Sequence, residues 1–177
     1  MTIQDKVWVA LLAVMLCACG NDAGKAVKAT PKAAAAATYD ATLADGIAFG
    51  DHLGYPRFVS SVTGMSGFEP GNRWTEGPKA TFNFAAPLPT RFVLKLELVG
   101  AFGPNVGKPV LVRIGDWQGS FTVETSPKLV ELPVQTGTPA QAIEFTVPEP
   151  RSPKELGVGS DTRQVGIGFR RLAIVAQ

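Results

Sequence analysis

The apolar positions of this chain alternate with polar ones. Ala80, Phe82 and Phe84 are separated by Thr81 and Asn83, while Phe92, Leu94, Leu96 and Leu98 share a segment whose other face carries Arg91, Lys95 and Glu97. The same period runs through Val110, Val112 and Ile114, through Phe121 and Val123, and through Val130, Leu132 and Val134. It returns in Ile143, Phe145 and Val147, and again in Val165, Ile167 and Phe169. Residues two apart share one face of an extended strand, so each segment predicts a strand buried on one side, as in antiparallel sheets packed face to face. Ile47, Phe49, Phe58, Val59 and Val62 predict one or two edge strands upstream. After Phe169 the apolar parity moves to Leu172 and Ile174. One inserted residue sends every later side chain to the opposite face, so a bulge is expected near Arg170.

Glycine and proline sharpen this reading. From Tyr39 onward there are 17 Gly and 13 Pro, and the longest stretch free of both is Thr90 to Val99. A helix of average length, about 11–12 residues, does not fit between such interruptions. The fold class expected is all-β: an antiparallel β-sandwich of eight to ten strands, wired as a jelly roll.

The N-terminus follows a different pattern. Lys6 precedes an apolar run from Val7 to Leu16. Crossing a bilayer takes about 20 apolar residues, so this shorter run suits the core of an export signal. It ends in Leu16-Cys17-Ala18-Cys19-Gly20, which resembles the lipobox of bacterial lipoproteins. That resemblance implies cleavage before Cys19, acylation of its thiol and new amino group, and membrane lipid as a partner. Residues 1–18 are then a signal peptide, 19–38 the lipidated Cys with an Ala/Lys-rich tether, and 39–177 the sandwich. Gly20 after the lipidated cysteine favours the outer membrane over the inner, on the periplasmic side.

Charge and composition exclude several functions. The net charge is +2, and residues 39–177 carry 13 basic against 13 acidic groups, so no nucleic-acid partner is expected. With one histidine and no cysteine beyond Cys19, the domain offers no Cys-rich zinc site, disulfide scaffold or thiol nucleophile. His52 beside Asp51 lacks an accompanying G-x-S-x-G serine and reads as a surface histidine. No catalytic residue, metal or cofactor is expected.

Four ordered motifs remain. Gly64-x-Ser66-Gly67-Phe68-Glu69-Pro70-Gly71-Asn72-Arg73-Trp74-Thr75 comes first, and Pro87-Leu88-Pro89 leads into the Phe92 strand. Ala101-Phe102-Gly103-Pro104-Asn105-x-Gly107-Lys108-Pro109 follows, and Ser152-Pro153-Lys154-Glu155-Leu156-Gly157 precedes Asp161-x-Arg163. This order resembles the C-terminal domain of periplasmic phosphoglycerol transferases, which decorate osmoregulated periplasmic glucans. Related modules are appended to some bacterial membrane glycosyltransferases. The resemblance covers roughly residues 44–175 and leaves no room for a transferase catalytic domain. It implies an accessory module that binds a periplasmic glycan, or one that docks on an envelope transferase.

The residues expected to carry binding are Trp74, Arg73, Glu69, Asn105, Trp117, Asp161 and Arg163. An aromatic face can stack on a sugar, and charged forks can bond its oxygens. Each has a structural alternative. Trp74 could plug one end of the sandwich with Arg73 paired to Glu69, and Trp117 could be a half-buried lid on a hairpin tip. Asn105 could serve a turn, and Asp161 with Arg163 could pin the long loop from Pro148 to Ser160.

Overall fold

The computed structural model describes residues 38–177. The signal segment, Cys19 and the tether up to residue 37 lie outside the described residues. Ten strands follow in order: β1 (Ile47–Ala48), β2 (Val59–Thr63), β3 (Arg73–Glu76), β4 (Lys79–Phe84), β5 (Arg91–Ala101), β6 (Pro109–Ile114), β7 (Trp117–Thr122), β8 (Lys128–Gln135), β9 (Ala142–Thr146) and β10 (Val165–Ala176). One 3-10 turn, Gly103–Asn105, is the sole helical element among the described residues.

The strands form two antiparallel sheets. In the first, β10 pairs with β5, which pairs with β8, and both β1 and β3 lie along the other side of β10. The second runs β2-β4-β9-β6-β7. Set the short edge pieces β1 and β2 aside and the other eight strands run 1-8-3-6 in one sheet and 2-7-4-5 in the other. That is the strand order of a jelly roll, as the alternation and the turn residues implied.

The alternating apolar faces meet between the sheets. Phe82, Phe145 and Phe169 are fully buried, and Phe49 nearly so. Phe169 comes from the first sheet and Phe82 and Phe145 from the second, so their rings join the layers, with centroids 5.2 Å apart for Phe145–Phe169 and 5.9 Å for Phe82–Phe145. Edge-to-face contact at such spacing adds to the burial itself.

The parity shift is a bulge, as expected. Phe169 pairs with Leu98 and Arg171 with Glu97, so Arg170 is the extra residue. Phe169 and Leu172 both point inward as a result. The Arg170 carbonyl accepts a hydrogen bond from the Phe49 amide at 3.0 Å, which ties the bulge to the segment after β1.

Strand β3 was not legible as a strand. Its inward residues are Arg73 and Thr75, not apolar ones. The pairing of β3 with β10 is irregular between Val165 and Gly168, and the Thr75 hydroxyl accepts the Ile167 amide at 2.9 Å. The side chain thereby replaces a missing ladder bond.

Candidate functional site

The seven residues named from the sequence divide into separate environments. Arg73 is 5% exposed, and its guanidinium donates to the carbonyls of Phe49, His52 and Leu53 and to the Tyr55 hydroxyl. It also lies 4.7 Å from the centre of the Tyr55 ring. The Arg73–Glu69 pair of the structural alternative is not formed. The strand geometry turns Arg73 into the sandwich, where its fork organises residues 49–55, and Glu69 binds Arg163 instead. Burial raises the Tyr55 phenol above its ordinary range, with the neighbouring Arg73 opposing that shift. Arg73→Lys keeps the charge but loses the planar fork. A loss of about 1.5–3 kcal/mol in unfolding free energy is expected, the worth of a hydrogen bond to a charged group. Urea unfolding monitored by tryptophan fluorescence measures it, and an unchanged midpoint would refute the assigned role.

Asn105 is fully buried. Its Nδ2 donates to the carbonyls of Phe102 and Glu149, at 2.9 and 2.8 Å, and its Oδ1 accepts the Glu149 amide at 2.9 Å. The side chain reads the backbone of residue 149 as a strand would, and so fixes the start of the loop to β10. Every polar atom it has is used, and none faces solvent.

Asp161, Arg163 and Glu69 come together. Arg163 meets Asp161 through Nε and Nη2, the latter at 2.6 Å, and reaches Glu69 with Nη1 at 2.5 Å. The Arg163 side-chain hydrogen bond is the largest cause holding the Asp161 carboxyl below the usual carboxylate range, and the two carboxylates raise Arg163 in turn. One guanidinium serves two carboxylates, so the cluster is net negative. Its arginine donors are largely committed to pinning the 148–164 loop against the turn at Glu69.

The tryptophans occupy opposite edges of the sandwich, because β3 and β7 are edge strands of different sheets. Trp74 is half-buried and lies against Gly168, where a methyl group would come within 3.2 Å of its ring. It meets Phe102 edge-on, with centroids 6.4 Å apart. Trp117 follows the two-residue hairpin turn between β6 and β7. It is half-buried, packs on the core and covers Gly119.

The second sheet provides a site that the motifs did not indicate. None of the described residues covers its outer face, and strand register lines its residues up across all five strands. One row runs Thr63–Thr81–Glu144–Arg113–Gln118, and the next runs Lys79–Thr146–Leu111–Ser120. A groove of about 250 Å³ opens there, lined by Lys79, Leu111, Arg113, Gln118, Glu144 and Thr146. A neighbouring depression of about 210 Å³ shares Arg113 and Glu144 with it. Glu144 accepts Lys79 Nζ at 2.9 Å on one oxygen and Arg113 on the other. Hydrogen bonding from Lys79 is the largest cause holding the Glu144 carboxyl below the usual carboxylate range. Both cations remain over half exposed, at 56% each. The rest of the face consists of hydroxyls, amides, Pro109, Ala142 and Leu111, the last 54% exposed. No stretch of sequence announces this arrangement. Its only trace is the outward polar half of strands whose inward half is apolar.

The named motifs, by contrast, build the fold. The Ser66 hydroxyl accepts the Trp74 amide at 3.1 Å and so fastens the outer edge of β3. Ser152 and Glu155 cap each other, each accepting the other's amide. Gly64 takes a φ of +70°, and a Cβ there would fall 1.9 Å from the Lys79 carbonyl oxygen.

Comparison with known proteins agrees with this architecture. The chain is 29% identical over 126 residues to Phosphoglycerol transferase I of Salmonella typhimurium and of Salmonella typhi. The match takes in 69% of this chain but spans only 16% of the length of those relatives. The domain is therefore a phosphoglycerol transferase-like β-sandwich module. Among solved structures, a point mutant of a carbohydrate binding module of family 29 is similar in fold. It has a TM-score of 0.50 and 12% sequence identity, and the match covers 73% of this chain and 89% of that one. The family model described as a domain of unknown function, DUF7024, matches residues 34–176, and the chain belongs to that family.

Proposed function

We propose that the protein is a non-catalytic glycan-binding module, held on the periplasmic side of a bacterial envelope membrane by acylated Cys19. In this reading the open face of the second sheet is where the glycan lies. The observation that supports it most is the groove at Lys79, Arg113 and Glu144, continuous with rows of threonine, serine and glutamine side chains. A sugar chain presents hydroxyls at short, regular intervals, and this face presents hydroxyl and amide partners on a strand-to-strand repeat of about 4.8 Å. Leu111 gives an apolar contact for the ring carbons. Each hydroxyl bond exchanges for one to water and yields about 1 kcal/mol at most, so affinity accumulates from several rings. Trp74 and the Glu69–Arg163–Asp161 cluster are further contact candidates in this proposal.

Isothermal titration with periplasmic glucans and with β-linked glucan oligosaccharides tests the reading. Millimolar to micromolar binding is expected, growing tighter with chain length. Arg113→Ala is expected to weaken it by roughly tenfold or more, since a hydrogen bond from a charged group contributes about 1.5–3 kcal/mol. No heat with any glucan would reject the proposal.

A second reading is docking on an envelope transferase. Leu53 and Phe68, 68% and 38% exposed, stand beside the buried Arg73, and Leu156 and Val158 are exposed in the loop before β10. Cross-linking that captured a transferase through these residues, with no glycan binding, would favour it.

A further inference from the structure

The ratio of cations to carboxylates differs from one ion-pair cluster of the described domain to the next. On the outer face of the first sheet Lys95 pairs with Glu131 and Arg171 with Glu97, and Arg91 is exposed there with no ion pair among the described residues. The Arg163 cluster has two carboxylates to one cation. On the open face of the second sheet the ratio is reversed. Two cations share one carboxylate, and every other outward strand position there is uncharged. Lys79 has three N–H donors and Arg113 five, yet each gives a single bond to Glu144.

We infer that this trio is a subsite for one negative charge carried by the glycan, a carboxylate or a phosphate ester. Lys79 and Arg113 are the contacting groups, and Glu144 is the positioning residue that holds them at the meeting point of the two depressions. A lone cation pair would swing apart by mutual repulsion. The carboxylate between them keeps both heads at the groove floor and leaves a net charge of +1 facing solvent. Glu144 is 20% exposed and accepts on both oxygens, so the ligand meets the cations before it meets the carboxylate. The inference rests on the glycan-binding reading above and adds the charge class of its ligand.

The test compares three probes on the full chain by calorimetry: a neutral β-glucan hexasaccharide, the same chain with one uronate, and the same chain with one glycerol phosphate. At low salt the charged probes are expected to bind roughly five- to tenfold tighter, the worth of one unit-charge contact at about 4 Å in water-like surroundings. The advantage is expected to fade as salt rises toward 0.5–1 M, where the screening length approaches about 3 Å. A gain with both charged probes, or with either one, supports the subsite, and the comparison identifies which anion fits. Lys79→Gln and Arg113→Gln are each expected to reduce the charged-to-neutral ratio. Glu144→Gln is expected to steepen the salt dependence, which a purely structural role would leave unmoved. Near-ultraviolet circular dichroism verifies that each variant is folded. Equal affinity for neutral and charged probes would overturn this inference and leave glycan binding standing. A ratio indifferent to both cation variants would overturn the placement, and absence of binding by all three probes would overturn both readings.

Discussion

Phe145→Ala is expected to destabilise the domain by about 3–5 kcal/mol, the range for truncating a buried aromatic. Phe145 is fully buried in β9 and lies within 6.4 Å, centroid to centroid, of Phe82, Phe121 and Phe169. Phe169 belongs to the facing sheet, so the side chain joins the two layers rather than filling a corner of one. Its removal leaves a cavity walled by other rings, and rings cannot close it without leaving their rotamers. A fall in thermal midpoint on the order of 10–20 °C follows for a domain of this size. Phe145→Leu, which retains most of the volume, is expected to lose less than half as much. Leu111→Ser on the exposed side is expected to stay within about 0.5 kcal/mol of the parent. Differential scanning calorimetry of the three variants provides the check. A Phe145→Ala midpoint within about 3 °C of the parent would mean that the rings do not carry the inter-sheet contact.

The same strand shows what sequence can and cannot reveal. Ile143, Phe145 and Val147 announce the inward face of β9 because burial selects apolar side chains at every second position. The bulge at Arg170 was equally readable, since the parity shift is its direct record. Glu144, on the other face, looks like any solvated strand glutamate. Its meaning comes from Lys79 and Arg113, which lie 65 and 31 positions away and meet it only through the β4–β9–β6 register. Register between distant strands is set by the whole topology, so no local window contains it. Strand β3 failed for the opposite reason. Arg73 and Thr75 occupy inward positions, and the alternation rule reads buried polar side chains as exposed ones. Arg73 is kept there by the carbonyls it binds, a compensation that is invisible in one dimension.

The motifs behaved differently again. Ser66, Glu69, Arg73, Asn105, Ser152 and Asp161 were conspicuous as polar residues at fixed spacings. In the structure each of them satisfies backbone amides or carbonyls, or pins a loop. Irregular edges and long loops expose backbone groups that no sheet partner satisfies, and specific side chains are needed to close them. Such residues identify the family while saying little about its ligand. The outward rows of the second sheet are built largely from threonine, serine and glutamine, which many sequences could supply.

Replacing Cys19 by serine is expected to abolish incorporation of labelled palmitate and to leave a precursor that keeps its 18 leader residues. Cys17→Ser is expected to do neither, since Cys17 precedes the cleavage point that the lipobox resemblance implies. In the proposed reading the thiol is the acyl acceptor and a hydroxyl would not replace it, so an all-or-none effect is expected. Labelling of the two variants in cells, read on gels, decides the matter, and label persisting in Cys19→Ser would remove the anchor from the proposal. Anchoring also bears on how a shallow groove could serve a purpose. A single acyl chain binds membranes only marginally, with a constant of about 10⁴ M⁻¹, whereas two or more give a durable hold. A tether of nineteen residues between Cys19 and Tyr39 reaches at most about 63 Å when extended. Confined to that layer, a module of weak intrinsic affinity works at an effective concentration that free diffusion in the compartment would not give it. In the proposed function, weak contacts made by Lys79, Arg113 and the hydroxyl rows would then suffice to hold a glycan near the membrane, and fast release would let the same module sample many chains.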